Sequence, residues 1–407
     1  MYINTATRTL LMDFIIDFID LLTEPWLYAV ALAVFLIITL LEFLFYKRPA
    51  FAGRKKRIPL PQEKDSPGVS VVLCVRNEYE NLTQLLPTLL EQEYPKFQIV
   101  VVNKNSEDNT EVLLASLEHF HKNLTIRNIT ANRKFGDDSL MALGIGIRAS
   151  VHPYVVFFRP DCRPTSDQWL SSLVKTSTER EAETVAGYTS LHKNSFWVRH
   201  HSLELQLHQM GMLDVGLPYV SNGNNVLFPK KRFTKGEAFK TGTTAFNRCT
   251  QAIVSHVLSN TSEATLGLAK KSRAAACAFP QGTTVLVRQI PYKEYRFEYI
   301  KSMQTLWLTK SRPFLLLTLE KFLTAAFYTL LAFLILTSYP WQETVVWAIP
   351  AGLFLLRWIF VWIFHLGYRL HLGEKIPVFT APLWDVFSPL MHFYYLIVLL
   401  FKKIKHR

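Results

Sequence analysis

The residues whose types and spacing best suit chemistry fall in one octapeptide, FFRPDCRP at 157–164. Asp161 stands there between Arg159 and Arg163. A single carboxylate holds Mg2+ or Mn2+ only if other hard oxygens, such as phosphate groups, complete the shell. An arginine two residues away opposes such an ion. It can instead pair with the carboxylate, or meet a phosphate with its planar fork. Asp161 is therefore either a metal ligand or an arginine partner. His200, His201, His208 and His256 are further candidates, since a neutral imidazole can serve as a base. Nothing in their spacing assigns them that role, and adjacent histidines on a helix read more simply as packing residues. Cys74, Cys162, Cys249 and Cys277 are scattered with no C-x-x-C pair, which argues for reduced thiols over a structural metal or a disulfide framework.

The elements that must position Asp161 alternate in period. GVSVVLCV and FQIVVVN are short β-branched runs, and each precedes a helical pattern, NLTQLLPTLLEQ and NTEVLLASLEHF. A third helix, SLMALGIGIRAS, leads into YVVFF, the run that ends at Arg159. Strands separated by helices of this length imply right-handed βαβ units and a mainly parallel sheet. Ligands of such sheets sit beyond the carboxyl ends of the strands, where FFRPDCRP lies.

Composition adds a membrane. Hydrophobic residues make up 49% of the 407 and aromatics 13%, and the net charge is +13. The charge is not spread as a nucleic-acid footprint. Six Lys/Arg fall in 47–59 and four in the tail KKIKHR, beside apolar segments, as expected for cytoplasmic flanks. Residues 10–22 place Asp13, Asp17 and Asp20 on one face of an amphipathic, interfacial helix. Residues 27–46 read as a spanning helix, retained because the positive charges follow it and no small-residue cleavage site does. The mixed basic and aromatic stretch PYKEYRFEYIKSMQTLWLTKSRP reads as interfacial. Residues 322–338 and 345–364 read as spans. The stretch 376–401, broken by Pro377, Pro382 and Pro389, reads as a re-entrant or interfacial hairpin that keeps the tail cytoplasmic. The expected organisation is 1–46 interfacial and transmembrane helix, 47–67 basic linker, 68–290 α/β domain, 291–321 interfacial helices and 322–407 transmembrane or re-entrant helices.

The order of segments resembles membrane-bound family 2 glycosyltransferases with a GT-A fold, over roughly 68–312. The resemblance rests on VSVVLCVRNEYENL, VVVNKNSEDNT, FRPDCRP and SNGNNVLF. It implies displacement of a nucleoside diphosphate from a nucleotide sugar by an acceptor hydroxyl, with a divalent cation on the leaving diphosphate and a carboxylate base. Carried onto this chain, it implies substrate contacts at Asn77, Glu78, Asn103, Asp108, Arg159, Asp161, Asn225, Gln304 and Trp307.

Several positions depart from the family pattern. Asn103 and Lys104 stand for paired aspartates, and Arg159 stands for the first acid of the metal motif. Asp137 and Asp138 stand where a lysine is usual. Thr243 and Thr244 occupy the base position, and the Gln304–Trp307 stretch lacks its arginine. The expectation is a catalytically impaired relative, a scaffold or partner subunit in cell-envelope polysaccharide or glycolipid assembly. The alternative is metal-independent transfer to a membrane-associated acceptor. No cofactor is expected, with Mg2+ or Mn2+ only if Asp161 suffices. The expected partners are the membrane, a nucleotide sugar and an active glycosyltransferase or other assembly protein. No nucleic acid is expected, and the expected location is the inner membrane of a bacterium with the soluble domain in the cytoplasm.

Overall fold

The computed structural model describes residues 25–45, 66–129, 139–215, 224–231, 273–277, 279–308, 312–338 and 344–401. The expected helix at 10–22, the basic stretch 47–59, Asp137, Asp138, Thr243, Thr244, Cys249, His256 and the basic tail lie outside the described residues. The chain forms two compact units: Phe45–Leu315 with Gly367–Ile376, and a second made of Met1–Leu44, Leu316–Leu366 and Pro377–Arg407.

In the larger unit, β1 (Val69–Val75), α2 (Tyr79–Leu90), β2 (Phe97–Lys104), α3 (Thr110–Phe120), β3 (Leu124–Ile129), α4 (Ser139–Ala149) and β4 (Tyr154–Phe157) follow α1 (Pro25–Phe45) of the other unit. Then come β5 (Cys162–Pro164), α5 (Trp169–Glu179), β6 (Thr184–Ala186), β7 (Thr189–Ser190), α6 (Phe196–Asp214) and β8 (Val226–Pro229). β9 (Ala274–Ala276), β10 (Thr284–Leu286) and α7 (Tyr292–Leu308) complete it. The main sheet runs β3-β2-β1-β4-β8-β6-β9. Its β3, β2, β1 and β4 are parallel, and β8 is antiparallel to both β4 and β6. A small sheet runs β5-β10-β7.

Every residue of β1 is buried, because a central parallel strand is covered on both faces. Val71, Leu73 and Val75 face a cluster with Leu82, Leu85, Leu86 and Leu89, the apolar stripe of α2. Val72 and Cys74 face the opposite cluster with Ala142, Leu143 and Ile147 of α4. Gly146 allows that approach, since a Cβ there would lie 2.5 Å from Val72 Cγ1. The expected α/β domain is thus present. Its sheet is parallel at the edge formed by β1–β4 and mixed beyond.

The other unit contains α1, most of α8 (Arg312–Ser338) and α9 (Thr344–His371), and α10 (Ala381–Phe401). Among the described residues three stretches, 312–336, 348–371 and 378–401, are long and apolar enough to cross a membrane, and 26–42 is a shorter apolar helix. Two expectations change. α8 starts at Arg312 rather than at 322, so 312–321 is the beginning of a long apolar helix and not a separate interfacial one. Residues 381–401 form one helix and not a hairpin. Pro382 falls in the first turn, where no intrahelical N–H bond is lost, and Pro389 removes a single bond from an otherwise apolar helix.

This unit encloses charges. Arg357 of α9 is fully buried. Its Nη1 and Nη2 donate to Glu42 of α1 at 2.9 and 2.5 Å. Its Nε and Nη2 donate to Asp385 of α10, both at 2.7 Å. The Tyr328 hydroxyl adds a bond to Asp385 at 2.6 Å, so one guanidinium ties α1 and α8–α10 together. Removing one member of a buried ion network typically costs about 3–5 kcal/mol, because the charges left behind are uncompensated. Arg357→Met should therefore lower the thermal unfolding temperature of the full-length protein in nanodiscs. The triple variant Glu42→Gln, Arg357→Met, Asp385→Asn should recover much of the loss.

Candidate functional site

The loops after β1, β2 and β4 meet at the carboxyl edge of the sheet. Asn77 has φ of 54° and opens the loop after β1. Its N–H donates to Ser106 Oγ at 3.0 Å and its Oδ1 accepts from the Glu107 N–H at 2.8 Å. Asn103, at the end of β2, is buried. Its Oδ1 accepts from Ser106 Oγ at 2.6 Å and its Nδ2 donates to Asn128 Oδ1 at 3.2 Å. Asp108 accepts from the Tyr79 and Thr110 N–H groups, each at 3.1 Å, and so closes the starts of α2 and α3 together. Slight desolvation would raise its carboxyl, but the bonds from Thr110 and Tyr79 outweigh it and hold the group below its usual range. In this structure Asn77, Asn103 and Asp108 thus tie the two loops to each other.

The charged part of the site lies between β1 and β4. Arg159 makes a two-point pair with Asp161, Nε to Oδ1 at 2.8 Å and Nη2 to Oδ2 at 2.5 Å. The Asp161 side chain is 8% exposed and that of Arg159 is 18% exposed, so the pair is largely shielded from water. Burial opposes the charge on Arg159, but the bond and charge of Asp161 prevail and raise its pKa above the ordinary guanidinium value. Glu78 is held above the usual carboxylate range by burial, against a hydrogen bond from Asn81, and the charge of Asp161 pushes the same way. Arg159 and Arg288 pull it down, so all four charges share one neighbourhood. Arg163 turns the other way. Its guanidinium donates to the Pro160 and Cys162 carbonyls at 2.8 and 2.9 Å and to the Asn81 carbonyl at 3.0 Å. Arg288 pairs with Glu294 at the surface. Cys162 is buried and its thiol is pushed far up by burial, which makes it inert as a nucleophile.

Asn225 was expected at the substrate. It is fully buried with φ of 58°. Its Oδ1 accepts from Trp169 Nε1 at 2.7 Å, and its Nδ2 donates to the Gly282 and Tyr188 carbonyls. The amide is consumed inside the fold, and it is the neighbouring Asn224 that reaches the site, accepting the Arg159 N–H at 3.1 Å. Gln304 and Trp307 lie toward the end of α7. Lys104, half-buried, is the last residue of β2. Among the described residues no group of three His, Cys, Asp or Glu could hold a metal ion. Asp161 is the acid that a cation at this edge would need, and its oxygens already face Arg159.

Ser106, Thr110, Asn224 and Arg288 were not singled out from sequence, whereas Arg163 was named beside Asp161 and turns away from it. Ser106 and Thr110 fall inside VVVNKNSEDNT, Asn224 inside SNGNNVLF and Arg163 inside FRPDCRP, so those segments held the signal. Arg288 has no sequence signal, since it reaches the site from the loop two residues after β10.

Residues 70–256 match the sequence profile of Glycosyl transferase family 2. The glycosyltransferase AglE of Haloferax volcanii is 32% identical over 123 residues, which is 30% of this chain and 39% of that protein. A poly-beta-1,6-N-acetyl-D-glucosamine synthase of Staphylococcus epidermidis is 24% identical over 134 residues, 33% of this chain and 31% of the synthase. The matches thus span well under half the length of these relatives. The mannosyltransferase PcManGT of Pyrobaculum calidifontis, solved with GDP-Man and Mn2+, aligns over 93% of this chain and 99% of its own, with a TM-score of 0.48 and 19% identity. The sheet order and the family match make the α/β domain a GT-A fold.

Asp108 yields a prediction with a sign. Its folded-state carboxyl lies below the unfolded value of about 3.9. Its stabilisation is therefore complete above that value and is lost as pH falls through the folded-state pKa. Asp108→Ala should cost about 0.5–2 kcal/mol near neutral pH, the usual effect of losing a helix cap. Urea unfolding of the full-length protein should show the gap between variant and wild type closing as pH falls below about 4.

Proposed function

We propose that this chain, which carries a family 2 glycosyltransferase domain, is a membrane-bound member of that family in which ordinary metal-dependent transfer is lost. In this reading it serves as a nucleotide-sugar-binding or scaffolding partner in cell-envelope polysaccharide or glycolipid assembly. It sits in the cytoplasmic membrane as a multi-pass protein, beside an active glycosyltransferase or another assembly protein. The observation that carries the reading is the two-point Arg159–Asp161 pair. A divalent cation on a diphosphate needs hard oxygen ligands. With Arg159 paired to Asp161, a cation would meet only the remaining lone pairs of the carboxylate, beside a guanidinium that repels it.

A second reading has its own support. Arg159, Arg288 and Glu78 share one electrostatic neighbourhood, and the Arg288–Glu294 pair is about half exposed. Exposed pairs contribute about 0–1 kcal/mol, so Arg288 is readily released to an incoming diphosphate. With Arg159 it would neutralise a leaving group without a metal. Thr243 and Thr244 stand at the base position, and a hydroxyl near neutral pH does not take the acceptor proton.

The test is calorimetric titration of the full-length protein with UDP- and GDP-sugars, in Mn2+ and in EDTA, together with an assay for released nucleoside diphosphate. The leading reading expects any binding to be equal in Mn2+ and EDTA, with no release. Release in EDTA that is abolished by Arg159→Ala would establish the second reading. Release that requires Mn2+ would overturn both.

A further inference from the structure

Residues 367–376, the last turn of α9 and the start of its connection to α10, pack as part of the larger unit. Within them Glu374 is 3% exposed. Its Oε2 accepts hydrogen bonds from the Tyr188 and Ser190 hydroxyls, both at 2.6 Å. Its Oε1 lies 3.9 Å from Nη2 of Arg199 on α6. Burial, and then the charge of Glu374, raise the Tyr188 phenol well above its ordinary value, so it stays a neutral donor. Burying a carboxylate is costly unless its lone pairs are met. Two hydroxyls and the Lys375 N–H meet lone pairs of this one, with Arg199 as a nearby counter-charge, and the nucleotide-sugar reading makes no use of it.

The strand that Glu374 holds is too short to hold itself. β7 has two residues and pairs with β10 at two positions. Strands of ordinary stability run about five or six residues. Side chains alternate along a strand. Tyr188 and Ser190 point to Glu374, and Thr189 between them points the other way. Thr189 Oγ1 shares a hydrogen bond with Thr284 Oγ1 at 2.9 Å and accepts from Asn224 Nδ2 at 3.3 Å. Asn224 in turn accepts the Arg159 N–H. A second route runs through β10, which pairs with β5 and whose next residue, Val287, donates its N–H to the Asp161 carbonyl at 2.9 Å.

We infer that Glu374 is a positioning residue: carried on the connector between two long apolar helices, it fixes β7 and, through Thr189, Asn224 and β10, the placement of Arg159 and Asp161. The inference deepens the reading of Arg159 and Asp161 as the site and rests on it for its meaning. The structural coupling is testable without it.

Residue-resolved amide hydrogen exchange on the full-length protein in nanodiscs provides that test, with wild type, Glu374→Ala, Glu374→Gln and Ser190→Ala. Glu374→Ala should speed exchange of the Arg159 and Val287 amides about tenfold, as loss of one hydrogen bond to a charged group would. Glu374→Gln keeps an acceptor and should give a smaller change, while Val71 and Val101 in the main sheet stay protected. If Glu374→Ala does not fold, Glu374→Gln and Ser190→Ala decide, each expected to accelerate Arg159 and Val287 measurably. Acceleration confined to 188–199 and 367–376, with Arg159 and Val287 at wild-type rates, would overturn the inference. Nucleotide-sugar titration of the same variants separates the two ideas. A wild type that binds nothing counts against the family activity alone, whereas binding with equal affinity in wild type and Glu374→Ala counts against the positioning role.

Discussion

A guanidinium fork and a divalent cation compete for a shielded carboxylate, because the fork takes one lone pair of each oxygen and its charge repels the ion. Asp161 has the fork: both of its oxygens receive Arg159. A metal at Asp161 would repel Arg159, whose charge Glu294 also favours. Its surroundings offer Glu78, a half-buried carboxyl already engaged with Asn81. The rest of the edge is arranged around this choice. Asn224 fixes the Arg159 backbone, β10 fixes the Asp161 backbone, and Arg163 is turned into the loop and held by three carbonyls. The chain supplies its own cation where the family pattern supplies an acid to bind one.

The same substitution logic runs through the neighbouring loops. Asn103 stands where the resemblance has an aspartate, and its amide holds Ser106 and Asn128. Ser106, Asp108 and Thr110 survive from that segment, and they make the bonds that keep the loops after β1 and β2 in register. The framework of the edge is in place with Asp108 and Asp161 kept, while an amide, Asn103, and two cations, Lys104 and Arg159, stand where the resemblance has acids. In the other unit, Arg357, Glu42 and Asp385 show that buried charge is tolerated where its partners are met. Ionisable groups inside apolar helices persist only under that condition.

Much of the domain was legible in the sequence because its signals are local. GVSVVLCV and YVVFF are continuous apolar runs that only a doubly covered strand requires, and the leucines of α2 recur on one helical face. The placement of Asp161 at a strand's carboxyl edge followed from the same pattern. Other features depend on tertiary partners that no spacing encodes. Asn225 and Asp108 were read as ligand contacts from the family pattern, but their partners are Trp169 and the helix starts at Tyr79 and Thr110. The socket of Glu374 joins residues 186 positions apart. The prolines at 382 and 389 suggested a broken segment, because their effect depends on where in a helix they fall. Pro382 sits in the first turn and Pro389 costs one bond.

The central claim is that Arg159 has taken the place of a metal at this edge. Electron paramagnetic resonance of Mn2+, titrated into the full-length protein with GDP or UDP present, measures it directly when wild type is set beside Arg159→Asp. The account predicts that wild type leaves the Mn2+ spectrum as it is with nucleotide alone, whereas Arg159→Asp, which frees Asp161 and supplies a second acid, binds it. Stoichiometric Mn2+ binding by the wild type that Asp161→Asn abolishes would contradict it.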